Sequence, residues 1–88
     1  MKVAFTAIAW DDYLYWSGND QDLLARINDL IEDARRHPFT GLGKPEPLKG
    51  KFAGWWSRRI NREHRLVYRA HGAGGEQALE IVQCRYHY

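Results

Sequence analysis

Apolar residues recur at helical spacing in the first half of this 88-residue chain and at alternate positions in the second, with a glycine- and proline-rich stretch between the two regimes. A period of 3.6 builds one face of a helix and a period of 2 one face of a strand, so a chain that changes period once is expected to lay helices against a sheet. Leu23, Leu24, Ile27, Leu30, Ile31 and Ala34 share one helical stripe, Asp20 can cap the segment and Pro38 closes it, which predicts a helix over about 20–36. Ahead of it, residues 2–5 are short, apolar and β-compatible. Thr6 can then cap a first helix running to about residue 17, with Trp10, Tyr13 and Leu14 at i, i+3, i+4 and Gly18-Asn19 ending it. The acidic residues of both helices lie off the stripe and read as solvated surface.

Residues 41–50 hold three Gly and two Pro, which excludes the interior of a regular element, and Pro45 and Pro47 keep the backbone of Glu46 extended. Beyond them, strands are expected over 55–60, 64–70 and 78–86, joined by a tight turn at 61–63 and a Gly-rich connection at 72–75. The expectation is one α+β domain over 1–88: an N-terminal strand and an αα-hairpin packed on a twisted antiparallel sheet, one face covered by the helices and the other partly open. Alternation admits one of Trp55 and Trp56 to the interior, and Trp56 with Ile60 is the expected inward pair.

With hydrophobic residues at 44% the chain can support a core. A single cysteine, Cys84, forms no internal disulfide and is read as a core residue, and the four His show no zinc spacing, so neither metal nor cofactor is expected. The apolar N-terminus runs straight into Asp11-Asp12, which leaves no signal-peptide core and no membrane span and points to the cytoplasm.

The formal net charge of +2 conceals a segregation: residues 1–33 carry two basic and seven acidic side chains, residues 34–88 eleven basic and four acidic. From Lys49 to Arg69 there are seven Lys or Arg against Glu63 alone, which puts cations on the sheet surface, and alternation sets Arg65, Val67 and Arg69 on one face with Leu66 and Tyr68 on the other. Such a face suits RNA, because guanidinium groups pair bidentately with phosphate and aromatic rings stack on unpaired bases. Cutting RNA further requires a base for the ribose 2′-hydroxyl, cations for the transition state and an acid for the departing 5′-oxygen. Glu46, the arginines and His87 could supply these roles, although singly each has an ordinary alternative as a loop carboxylate, a strand cation or a terminal residue.

The stretches Trp10-Asp11-Asp12-Tyr13-Leu14-Tyr15-Trp16, Gly43-Lys44-Pro45-Glu46-Pro47-Leu48-Lys49, Trp56-Ser57-Arg58-Arg59-Ile60, Glu63-His64-Arg65-Leu66-Val67-Tyr68 and Cys84-Arg85-Tyr86-His87-Tyr88 together resemble the YoeB (Txe/YoeB) toxins of the RelE/ParE superfamily. The resemblance covers essentially the whole chain, and five ordered blocks are far more specific than one motif. It implies a RelE-like fold related to microbial ribonucleases, and the toxin of a type II toxin–antitoxin pair: a metal-independent endoribonuclease that cuts mRNA in the ribosomal A site and leaves a 2′,3′-cyclic phosphate. On the matching positions it implies Glu46 as general base, His87 as general acid, Arg65 as main transition-state cation helped by Arg59, Lys49 as an mRNA-backbone contact, and Tyr88 packing on the scissile nucleotide.

The partner implied is a YefM-type antitoxin whose acidic, partly disordered segment folds over the basic face; a homodimer of the free toxin stays open. The connection at 71–77 is longer than the family's usual one, and His37 and His71, which have no family role, are read as surface residues. Two other readings remain, a gyrase poison of the ParE kind that does not cut RNA and an RNA-binding relative without activity, because fold alone does not determine function.

Overall fold

The computed structural model describes residues 1–87. Strand β1 (Lys2–Phe5) leads into helix α1 (Ala7–Asn19), whose first turn is capped by the Thr6 hydroxyl accepting from the Ala9 amide at 3.2 Å. Asp20 both ends α1 and starts α2 (Gln21–Arg36): its amide donates to the Trp16 carbonyl at 2.9 Å while its carboxylate accepts from the Leu23 amide at 3.0 Å. The two helices therefore turn on a single residue. Four further strands follow, β2 (Glu46–Pro47), β3 (Trp56–Arg59), β4 (Arg65–His71) and β5 (Ala78–Gln83), with short 3-10 turns at Gly50–Phe52 and Gly74–Glu76.

The sheet order is β1-β5-β4-β3-β2. Neighbours from β2 to β5 are antiparallel, but β1 runs parallel to β5, so the sheet is mixed where an antiparallel one was expected. The helical hairpin and strands β2, β3 and β4 lie between these two strands, and a connection of that length permits the parallel direction that a tight turn would forbid.

The α+β expectation and the one covered face hold. Ile27, Leu30 and Ala34 of α2 and Ala9 and Trp16 of α1 meet Ile60, Leu66, Tyr68, Leu79, Ile81 and Cys84 in one core. Trp56 packs against this core and Ile60 lies within it, as alternation predicts.

Three expectations need correction. In α1, Trp10 and Leu14 are each 47% exposed, and the residues turned to the sheet are Ala9 and Trp16. The large side chains of the first turns instead build a cluster of their own, Trp10 stacked on Tyr13 with ring centroids 5.7 Å apart and both edge-on to Phe5. Residues 46–47 do form a strand, which Pro47 can join because β2 is the sheet edge and its missing N–H breaks no interior ladder. Finally, β5 ends at Gln83, not at residue 86. Its pairing with β4 skips Val82, since Tyr68 faces Ile81 and Val67 faces Gln83, and such a bulge turns the chain out of the ladder.

Candidate active site on the open sheet face

Strand register arranges the face away from the helices in rows. Glu46 of β2 pairs with Ser57 of β3, Ser57 with Val67 of β4 and Val67 with Gln83 of β5, so these four positions run across the sheet in one row. One step along the strands on the same face, Arg59 pairs directly with Arg65. The next row is about 7 Å away and neighbouring strands about 4.8 Å apart, so a carboxylate from β2 and two guanidinium groups share an area the size of one phosphodiester and its ribose. Among the described residues neither Arg59 nor Arg65 is ion-paired to a carboxylate. Two like charges directly opposite each other cost stability, a cost that a bound anion would remove.

Local structure holds each of these groups. Gly43, at φ +78°, turns the 40s loop so that its carbonyl accepts from the Arg59 amide at 2.7 Å, just ahead of the strand that carries Glu46. The Arg65 guanidinium is drawn to the end of the sheet by carbonyls of the β3–β4 turn, Asn61 at 2.7 Å and His64 at 3.1 Å. Lys49, exposed, begins the 3-10 turn just beyond β2.

The segment after β5 is anchored from both sides. The Cys84 amide donates to the Asp12 carboxylate at 3.1 Å, the Trp16 indole donates to the Cys84 carbonyl at 2.8 Å, and the Arg85 guanidinium lies 3.5 Å from the centroid of the Tyr15 ring. From the other side, the Tyr86 amide donates to His64 Nδ1 at 2.7 Å and the Tyr86 carbonyl accepts from the Arg65 amide at 3.0 Å. His87, exposed, thus follows a residue bonded to the backbone of Arg65. Glu46, Arg59 and Arg65 share one face, and the backbone leading to His87 is tied to Arg65 at the end of the sheet where the arginines stand; Tyr88 lies outside the described residues.

Comparison with known proteins gives this arrangement a family. A model described as the YoeB-like toxin of bacterial type II toxin-antitoxin systems matches residues 5–88. The chain belongs to that family, and it is a toxin of such a system. Toxin YoeB of Synechocystis sp. is 54% identical over 88 residues, covering 100% of this chain and 98% of the relative. The solved YoeB/ParE toxin from Agrobacterium tumefaciens is 58% identical with a TM-score of 0.96, each chain covered in full. The toxin also superposes on the solved YoeB-YefM complex from Staphylococcus aureus with a TM-score of 0.88 and 38% identity, covering 100% of this chain and 98% of that one.

Several side chains of the toxin stand elsewhere than the sequence suggests. Arg58 is no surface cation: it is fully buried and bonded to Asp33 Oδ2 at 2.5 Å, so Asp33 is not simply solvated either. The Arg58 bond, with the Leu42 amide, holds the Asp33 carboxyl below its usual range. Asp12 is likewise more than surface acidity, and burial raises its pKa despite the Cys84 amide. Cys84 is fully buried, its thiol pushed up to about 12 by burial, in keeping with a core role. His37 and His71 are exposed as expected. Nothing in the sequence marks His64, because its role as acceptor for Tyr86 depends on a contact 22 residues away.

Proposed function

We propose that this toxin is a metal-independent endoribonuclease that cuts mRNA in the ribosomal A site and thereby stops translation. Glu46 takes the proton of the ribose 2′-hydroxyl, and the resulting alkoxide attacks the adjacent phosphorus. Arg65, helped by Arg59, stabilises the charge gathering on the phosphoryl oxygens, and His87 protonates the 5′-oxygen as its bond to phosphorus breaks. The products are a 2′,3′-cyclic phosphate and a free 5′-hydroxyl. Lys49 contacts the RNA backbone as a point charge, and Tyr88 packs on the scissile nucleotide. The observation that carries this reading is the adjacency of the Glu46 row and the Arg59–Arg65 pair on one open face, with the backbone leading to His87 tied to Arg65.

The partner in the cell is a YefM-type antitoxin with an acidic segment for the basic face, a reading supported by the S. aureus complex and by the charge of residues 34–88. No helix among the described residues is long and apolar enough to cross a membrane, and the substrate places the toxin in the cytoplasm.

Cleavage ends mapped in a reconstituted translation reaction test the proposal. Glu46→Gln and His87→Ala are each expected to slow single-turnover cleavage by roughly 10² or more. Wild-type rates in both variants overturn the roles. Translated mRNA left whole while gyrase supercoiling is inhibited overturns the ribonuclease itself in favour of a ParE-type poison.

A further inference from the structure

The open face carries a third row that the reaction above leaves unused. Trp56 pairs with Tyr68, so Trp55, the residue just before β3, stands opposite Arg69 of β4 on the side of Ser57 and Val67, and Arg69 pairs in turn with Glu80 of β5. The Arg69 guanidinium lies over the Trp55 ring, 4.6 Å from its centroid. Its Nε donates to Glu80 Oε1 at 2.8 Å, and His71 Nε2 stands 3.5 Å from the same oxygen. Held at one side by a carboxylate and placed over an indole, the guanidinium is fixed in position, and the Arg69 side chain is still 43% exposed.

Two features select the ligand. The Glu80 carboxylate offsets the charge of Arg69 and repels phosphate, which makes the row a poor second site for the RNA backbone. A guanidinium held over an aromatic ring is instead a surface on which unpaired bases lie, since every base presents a π-face. Position selects which base. The row stands about 7 Å along the strands from Glu46, on the side away from Arg59, Arg65 and the approach to His87. In the proposed reaction the carboxylate serves the nucleotide that supplies the 2′-hydroxyl and the imidazole serves the one that leaves, so this side of the face is the 5′ side of the cut.

We infer that Trp55 and Arg69 form a nucleobase-stacking subsite for the RNA base on the 5′ side of the scissile phosphate. The subsite rests on the ribonuclease reading and adds to it a determinant of substrate binding that is neither acid, base nor transition-state cation.

The test uses ribosomes programmed with an mRNA made uncleavable by a 2′-deoxy residue at the cut, and measures binding of labelled full-length toxin. Two mRNAs are compared, one complete and one abasic at the 5′ nucleotide. Arg69→Met and Trp55→Leu are expected to weaken binding to the complete mRNA by about 5- to 100-fold, the scale of one base–aromatic stack. Both should bind the abasic mRNA as wild type does, and Trp55→Phe should keep most of the affinity for the complete one. Equal losses on both mRNAs would mean a structural role, and no loss on either would mean no contact; each result overturns the subsite. Wild-type toxin that leaves cleavable mRNA intact refutes the ribonuclease reading, whereas wild type that cuts while the variants bind both mRNAs normally refutes the subsite alone.

Discussion

Arg58 directs its whole guanidinium into the protein. Nε donates to the Tyr68 hydroxyl at 2.9 Å, one terminal nitrogen to Asp33 and the Leu42 carbonyl, and the other to the carbonyls of His37 at 2.6 Å and Thr40 at 2.9 Å. The side chain thus pins the loop between α2 and β2 to the sheet, and that loop leads to Glu46. Truncation would strand several acceptors at once, so Arg58→Met should lower unfolding free energy by about 3–5 kcal/mol in urea titration. Arg58→Lys should rescue little, because an ammonium cannot reproduce the planar fork. The pair also shapes acid stability. A carboxyl whose folded pKa is lowered contributes stability in full above its ordinary titration range and loses it as pH falls through the lowered folded value. Asp33→Asn should therefore flatten part of the acid limb of stability against pH, and a profile parallel to wild type there would show that the pair does not carry it. Arg58 has the parity of Trp56 and Ile60, which places it inside, and Asp33 stands three residues past Leu30 at the margin of the helical stripe. Composition counted both as surface charges because each becomes tolerable inside only through the other, and that pairing spans 25 residues.

Two short elements position the catalytic candidates, and both escape sequence reading for the same reason. Strand β2 has two residues, too few for any alternation, and exists because β3 presents an edge for it; what the flanking prolines do show is that Glu46 is extended. The elbow before it requires Gly43, where a Cβ would stand 2.7 Å from Leu30 Cδ2 and 3.1 Å from the Arg59 carbonyl, at a positive φ that side chains disfavour. Gly43→Ala should shift β2 and slow cleavage by about 10²-fold, since a displacement of about 1 Å at a reacting group has that effect. Single-turnover rates beside melting temperatures check it: a rate that falls no further than the loss of folded protein would sink the argument. The second element is the segment 84–87, whose first three residues the sequence pattern assigns to the last strand. The ladder ends at Gln83, one residue past the bulge at Val82, and beyond it His64 supplies a side-chain acceptor for the Tyr86 amide. His64→Ala removes that acceptor together with the edge-on contact of its ring against Trp16. His64→Phe keeps the ring and removes only the acceptor, so it should reduce the cleavage rate about 10-fold or more with a smaller loss of melting temperature than His64→Ala. An unaltered rate would show that the Arg65–Tyr86 backbone bond suffices.

At the scale of the whole molecule, the segregation of charge along the chain becomes a segregation by layer. The two acidic helices cover one face of the sheet, while Lys49, Arg59 and Arg65 belong to the strands and turns of the other part. A polyanion is thereby steered to the open face and away from the helices, an effect of the summed field that no single residue supplies. The same geometry separates the two ends of the chain. β1 occupies one edge of the sheet and β2 the other, so the N-terminus leaves beside β5 at the edge farthest from Glu46, whereas the segment at the other end is bonded to the backbone of Arg65. A folded domain fused after Tyr88 would follow within two residues of the bonds that hold Tyr86 to His64 and Arg65, beside the arginines proposed to receive RNA, and would crowd them. The same domain fused before Met1 would project from the opposite edge. Cleavage on programmed ribosomes should fall strongly in the first fusion and stay near wild type in the second, with binding of a YefM-type antitoxin to each verifying that both are folded. Equal cleavage by the two fusions would mean that the carboxyl-terminal residues do not form part of the catalytic face.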